Sequence, residues 1–263
     1  MSRPTPSLRV RVDVTNPGQF FACCGLFEFS SRLQPESVAW FEPGWFCIAH
    51  GPLLPDLIAQ ITRAELIQLD AEDTTASPIR IAAPFDLLLD WWKTRDRASS
   101  DLKVWAGTME SFRIARAMQH AMRDPIFAAN GLFDVGVVAY DPDSPEKKVE
   151  PFYFDARRGP NAHSRDVGFA PNDLGLTTIA SPAVEFLCLV GLQRVRPTAR
   201  GDRIFDYHPW SQPLPIALAP VAAAGWLPDS TSPGLRFESW FRTGQRKHKA
   251  FLSAKPIPAS SLS

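Results

Sequence analysis

The chain has 263 residues, 45% of them hydrophobic, and its 28 basic and 28 acidic side chains leave a formal charge of zero. That apolar content excludes a disordered chain, and the length allows one large domain or two small ones. Charge balance excludes a general electrostatic attraction to nucleic acid, so any such binding falls to local patches.

The start, MSRPTPSLRVRVDV, has no apolar signal-peptide core, and no run nears the roughly 20 residues that span a bilayer. Cys23, Cys24, Cys47 and Cys188 form no CxxC and sit among apolar residues, which reads as buried, reduced thiols in a cytoplasmic, membrane-free protein. Residues 8–14 alternate with period two and predict a strand. Asn16-Pro17-Gly18-Gln19 then reads as a helix start, with Asn16 as cap, Pro17 in the first turn and Gln19 closing a capping box. The helix that follows carries Phe20, Cys24 and Phe27 on one face, and Gly25 predicts a close approach to a strand.

Residues 38–49 predict a hairpin turning at Glu42-Pro43-Gly44. One helix is expected over 52–69, from Leu54, Leu57, Ile58, Ile61 and Leu66, then strands at 79–83 and 85–91 and a mobile loop at 96–103. A helix at 108–122 sets Met109, Phe112, Ala115 and Met122 on its core face, and opposite them Arg113, Arg116 and Arg123 as a ridge beside Glu110 and His120. Strands are predicted at 135–140 and 149–155, the second an edge strand because of Pro151, with the loop DPDSPEKK between them. Residues 183–192 are apolar all round and read as a buried helix or strand. A Pro-punctuated loop fills 206–233, a hairpin around Thr243-Gly244 fills 235–251, and the tail 253–263 frays. With no repeat or clean linker, the fold class is α+β: a mixed or antiparallel sheet packed with helices, forming one domain over 1–263 with room for two lobes.

Chemistry is sparse. His50, His120, His163, His208 and His248 lie in no metal-ligand spacing, and neither a phosphate-binding glycine loop nor a GxSxG elbow occurs, so no metal, cofactor or catalytic residue is assigned. Asp141 and Asp143 read as a solvated turn. Segment 155–173 is the most site-like, gathering Asp155, Arg157, Arg158, Asn161, His163, Ser164, Arg165 and Asp166. Arginine forks there suit phosphate oxygens, while a solvated loop with internal ion pairs explains it equally well. Arg194, Arg196, Arg200 and Arg203 form a second basic run. Arg236, Arg242, Arg246, Lys247 and Lys249 form a third, interleaved with Phe237, Trp240, Phe241 and Phe251.

Five blocks carry a family likeness: DVTNPGQFFACCGLFEFSSRL at the start, LKVWAGTMESFRIARAM at 102–118, PFYFDARRGPNAHSRDVGF at 151–169, SPAVEFLCLVGLQRVRP at 181–197 and ESWFRTGQRKHKAF near the end. Together they span most of the chain, and it resembles the CRISPR-associated Csb-type proteins of type I-G (formerly I-U) loci. The resemblance implies a bacterial antiviral subunit working beside other CRISPR-associated proteins, crRNA and target DNA. A ferredoxin-like core of the RNA-recognition-motif kind is compatible with the strand–helix opening, although the glycine-rich RNA-binding loop of such subunits is not evident.

Three roles follow as expectations. The first is a non-catalytic subunit contacting nucleic-acid backbone through Arg113, Arg116, Arg123, Arg157, Arg158, Arg165, Arg194, Arg196, Arg242, Arg246, Lys247 and Lys249. The second is a protein-only adaptor displaying Trp91, Trp92 or Trp210 to its partner. The third is a metal-independent enzyme using Asp155, His163 and Asp166.

Overall fold

A computed structural model of the chain describes residues 3–93, 101–158, 178–227, 233–242 and 246–258. Strand β1 (Leu8–Arg11) leads into helix α1 (Pro17–Leu33). The Asn16 side chain caps α1 by accepting from the Gln19 N–H, and Pro17 sits where a missing N–H costs nothing. Gln19 does not close the box on Asn16; its Oε1 accepts from the Asp13 N–H at 2.8 Å instead. Strands β2 (Val38–Glu42) and β3 (Trp45–Ala49) form the predicted hairpin, turning at Gly44 with φ +75°.

Helix α2 (Leu54–Arg63) is shorter than predicted, because the chain turns extended at Ala64 and Leu66 enters a strand. That strand, β4 (Leu66–Gln68), joins β5 (Ile79–Ile81) and β6 (Leu87–Leu89) in a three-stranded antiparallel sheet. Helix α3 (Ser111–Ala121) follows, then a 3₁₀ turn at Pro125–Ala128. Its buried face is Ile114, Ala115, Met118 and Met122, with Met109 and Phe112 only partly covered, so the core stripe is rotated from the predicted one. The polar loop at 141–148 is largely ordered into a hairpin of β7 (Tyr140–Asp141) and β8 (Ser144–Lys148).

Helix α4 (Pro182–Arg194) resolves the ambiguity at 183–192 in favour of helix. The Pro-punctuated region contains β9 (Thr198–Gly201), β10 (Ile204–Tyr207), β11 (Leu214–Pro215) and the short helix α5 (Ala219–Ala223). Strands β12 (Leu235–Phe241) and β13 (Lys249–Phe251) make the predicted C-terminal antiparallel pair. The tail does not fray through 258: β14 (Lys255–Pro256) pairs with β12, and the Ala254 N–H reaches Thr15 O at 2.7 Å.

Helices α1 and α4 sit at the centre, each burying apolar residues around its whole circumference, with Glu28 and Glu185 as buried acids among them. Their backbones touch through a reciprocal pair of glycines. A Cβ at Gly25 would lie 2.0 Å from Leu187 O, and one at Gly191 would lie 1.9 Å from Phe21 O. Gly25 therefore serves a helix–helix contact and not the predicted helix–strand one. One antiparallel sheet, in the order β1-β3-β2-β11, meets α1 through Phe20 stacked on Phe41. A second antiparallel sheet runs β13-β12-β10-β9, with β14 also on β12, and Phe21 packs there against Tyr207 and Phe237. At the far end of α1, Phe29 contacts Phe85 and Phe186.

The order β1-α1-β2-β3-α2, with β3 between β1 and β2, matches the first half of a ferredoxin-like unit. In that fold the closing strand lies beside β1; here the fourth strand, β11, lies beside β2. Segment 149–155 is not an edge strand. It threads across the start of α1, where a Cβ at Gly18 would meet Phe154 O at 2.3 Å, and Phe152–Ala156 are buried. Residues 135–139 contribute one isolated bridge, Val137 to Ala180, in place of the predicted strand.

Candidate nucleic-acid interface

Four of the predicted phosphate-binding arginines, Arg113, Arg116, Arg157 and Arg194, already hold a close carboxylate. Arg113 Nε lies 2.7 Å from Asp141 Oδ2, and Arg116 forms a two-pronged pair with Asp143. The two aspartates read as a solvated turn are thus counter-charges for the α3 ridge, across a cleft of about 420 Å³. Arg123, the ridge's third member, donates to Thr62 O at 3.3 Å. Arg194 grips Glu28 through bonds of 2.7 and 3.0 Å, and Arg32 adds a third at 2.9 Å. Burial pushes the Glu28 carboxyl up, but these guanidinium bonds outweigh it and hold the group below its ordinary value. Arg200 and Arg236 share Asp206 in the same way, with the same net lowering.

The 155–173 loop is described only through Arg158; Arg165, His163 and Asp166 lie outside the described residues. Asp155 is 0% exposed, and its oxygens accept from Asn16 Nδ2 at 2.7 Å and from Arg157 Nη2 at 2.7 Å and Nε at 3.0 Å. Burial raises its pKa, and Arg157, Ser181 and Asn16 together pull it below the ordinary value. Arg157 is also bonded to Phe133 O, and Arg158 Nη2 lies 3.5 Å from Ser181 Oγ. Next to Asp155, the fully buried Glu185 accepts from the N–H groups of Phe154 and Asp155 at 3.2 and 3.1 Å, and from Tyr153 N–H. Tyr153, at φ +74°, turns these consecutive donors to one side. Burial still dominates and pushes the Glu185 carboxyl up to about 7. The arrangement clamps the starts of α1 and α4 to the 153–156 segment. It leaves Asp155 no free oxygen for acid–base work.

The third basic run behaves differently. Phe237 and Phe251 face the core, 4.9 Å apart, while the far end of β12–β13 collects cations. Segment 101–107 lies along β13, with the Lys249 N–H on Val104 O and Lys249 Nζ on Asp101 O, both at 2.8 Å. Lys103 Nζ sits 5.3 Å from the Trp105 ring centre. Arg203, at φ +61°, lies across the edge of β12, 5.3 Å from the Trp240 ring and 4.9 Å from Phe241. Arg242 is 7% exposed, 3.6 Å over the Tyr153 ring, with only a 3.9 Å approach to Glu150 as its ion pair. Arg246 and Lys247 are exposed on the same hairpin, and Arg196 is exposed beyond α4.

Among the described residues, Lys103, Arg203, Arg246, Lys247 and Lys249 have no carboxylate within ion-pair distance, and buried Nε atoms of Arg203 and Arg242 have no hydrogen-bond partner. The energetics register this crowding. Burial lowers the Lys103 pKa, with Asp73 opposing; burial also lowers that of Lys249, where Arg203 and Lys103 add to the effect against Asp101. His248 is lowered by burial and by Arg242 and Lys247, with Glu150 opposing.

The tryptophans are a correction. Trp91, Trp92 and Trp210 are buried, their indole N–H groups spent on the carbonyls of Leu189, Ala76 and Ala39. The exposed ones are Trp226, at 78%, and Trp240, at 47%. The four cysteines are free and buried as expected; burial pushes the thiols of Cys23, Cys24 and Cys188 far up and that of Cys47 to about 11. Sequence reading missed Lys103 and the roles of Glu28, Glu185 and Asp206. A signal was present: Glu28 and Glu185 are lone acids inside apolar helices, and a buried charge demands a partner. No helix is long and apolar enough to cross a membrane among the described residues. No family model, curated protein or solved structure matches the chain.

Proposed function

We propose that this chain is a non-catalytic subunit of a type I CRISPR antiviral system that holds nucleic-acid backbone at the turn end of the β12–β13 hairpin. One observation carries the reading: among the described residues Lys103, Arg203, Arg246, Lys247 and Lys249 there lack carboxylate partners and Arg242 has only the 3.9 Å approach to Glu150, while Arg113, Arg116, Arg157 and Arg194 are closely paired. A cation without a counter-charge in the fold accepts one from outside, and phosphate is the anion that a row of Lys and Arg suits best. The family resemblance supplies the CRISPR context, and with it crRNA, target DNA and neighbouring Cas proteins as partners. Contacts of this kind position a strand without reading its sequence.

The test is binding of labelled RNA and DNA to the full chain over a salt series. Affinity falls with salt, and Arg203→Ala with Lys249→Ala reduces the salt slope by about one per lost phosphate contact. Arg113→Ala with Arg116→Ala leaves it unchanged. No binding by the protein or by its complex overturns the proposal. A protein-only adaptor role has one observation in its favour, the exposed Trp226 beside exposed Leu218 and Val221. Co-purification with CRISPR proteins that survives nuclease and high salt would favour that role.

A further inference from the structure

Resting on that reading, we propose that Trp240 is a base-stacking platform, which makes the ligand single-stranded nucleic acid. Along β12 the side chains alternate: Leu235, Phe237 and Ser239 face the core, while Arg236, Glu238 and Trp240 point outward. A tryptophan on the outward side of a seven-residue strand is explained by nothing in the core. Its cross-strand partner on β13 is Ala250, whose side chain is too small to cover an indole.

On the other side the neighbour is the backbone of Arg203, whose carbonyl accepts the Ser239 N–H at 2.9 Å. The Arg203 guanidinium lies over the indole, and its buried Nε has no partner. Arg203 thus reaches this place from a positive-φ turn, with no carboxylate within ion-pair distance among the described residues. Nearly half of Trp240 stays open to solvent.

The surroundings give the ligand a direction. Arg236 is neutralised by Asp206, and the exposed Glu238 repels phosphate from the middle of the strand. Among the described residues, the Arg236 end carries Lys255 on β14, while the cations without a carboxylate gather at the opposite end: Arg203 beside the ring, and Arg246, Lys247 and Lys249 on the hairpin beyond it. A base on the ring and its phosphates toward the hairpin tip satisfy both. A base inside a duplex is already stacked on both faces and cannot use the ring, so a strand with splayed bases is selected.

The experiment compares three oligonucleotides of equal length on the full chain: a uridine or adenine strand, an abasic strand of the same charge, and a duplex. The natural strands bind about tenfold or more tighter than the abasic strand, in the range that stacking of one base supplies. Trp240→Ala removes that advantage and leaves abasic binding unchanged, while Trp240→Phe keeps most of it. Unaltered thermal melting of both variants excludes misfolding. If abasic and natural strands bind alike and Trp240→Ala changes neither, stacking is overturned and the phosphate reading stands. If no strand binds at any salt concentration, both fall together.

Discussion

Around the central helices, acid and base are matched: Glu28 takes Arg32 and Arg194, Asp155 takes Arg157, and Asp206 takes Arg200 and Arg236. At the β12–β13 end, Arg203 and Arg242 lie instead on aromatic rings, Lys103 is buried, and Lys249 is half-buried with Arg203 and Lys103 nearby. The same residue types therefore do two jobs. A guanidinium on a buried carboxylate is spent on the fold, because removing either partner strands the other in a low dielectric. A cation left on an indole or a phenol keeps part of its charge available. Counting arginines in a sequence measures neither; the location of the nearest carboxylate decides.

Three substitutions probe the matched side. The largest effect is expected from Asp155→Ala, which strands the Asn16 amide and the Arg157 guanidinium. It should cost about 3–5 kcal/mol, read from urea unfolding. Glu185→Gln tests a buried carboxyl that, unlike Glu28, Asp155 and Asp206, has no cation on it among the described residues. Its folded pKa of about 7 stands above the ordinary 4.5, so the folded state binds the extra proton. Stability from this group is full below about pH 4.5 and lost as pH rises through 7. The wild type should therefore lose on the order of 3 kcal/mol relative to Glu185→Gln across that window, most of it visible between pH 5 and 8. An unchanged difference between those two pH values would show the carboxyl to be ionised throughout. The smallest effect belongs to Arg116→Ala, whose pair with Asp143 is solvent-exposed. It should change stability by less than about 1 kcal/mol, and a larger loss would move the α3 ridge into the structural group.

Local chemistry was readable in advance and distant pairing was not. Asn16-Pro17 announces α1, and Pro43-Gly44 announces the first hairpin, because each signal lies within a few residues of the structure it makes. Leu66 fits a helical spacing as well as it fits a strand, and only β5 beside it decides. Segment 152–156 has strand-like composition, but its N–H groups go to the side chains of Glu185 and Asn16 and not to a ladder. The arginines of the candidate site illustrate the same limit. Arg194 and Glu28 are far apart in the chain, so nothing near Arg194 marks it as neutralised. The basic–aromatic alternation of 236–251 was legible as a candidate surface, since Phe237 and Trp240 differ in strand parity.

The glycine contact between α1 and α4 also has a consequence in time. The two helices are separated by about 150 residues, and neither has a polar face to offer water while it waits. At ribosomal speeds of about 5–20 residues per second, α1 leaves the tunnel roughly 7–30 s before its partner exists. For that interval a largely apolar helix is sticky, sheltered on one side by the β1–β3 sheet and later, at its two ends, by the 152–156 segment and Phe85. A chain cut short before residue 182 should therefore be held by chaperones or lost as aggregate, however well its first hairpin forms.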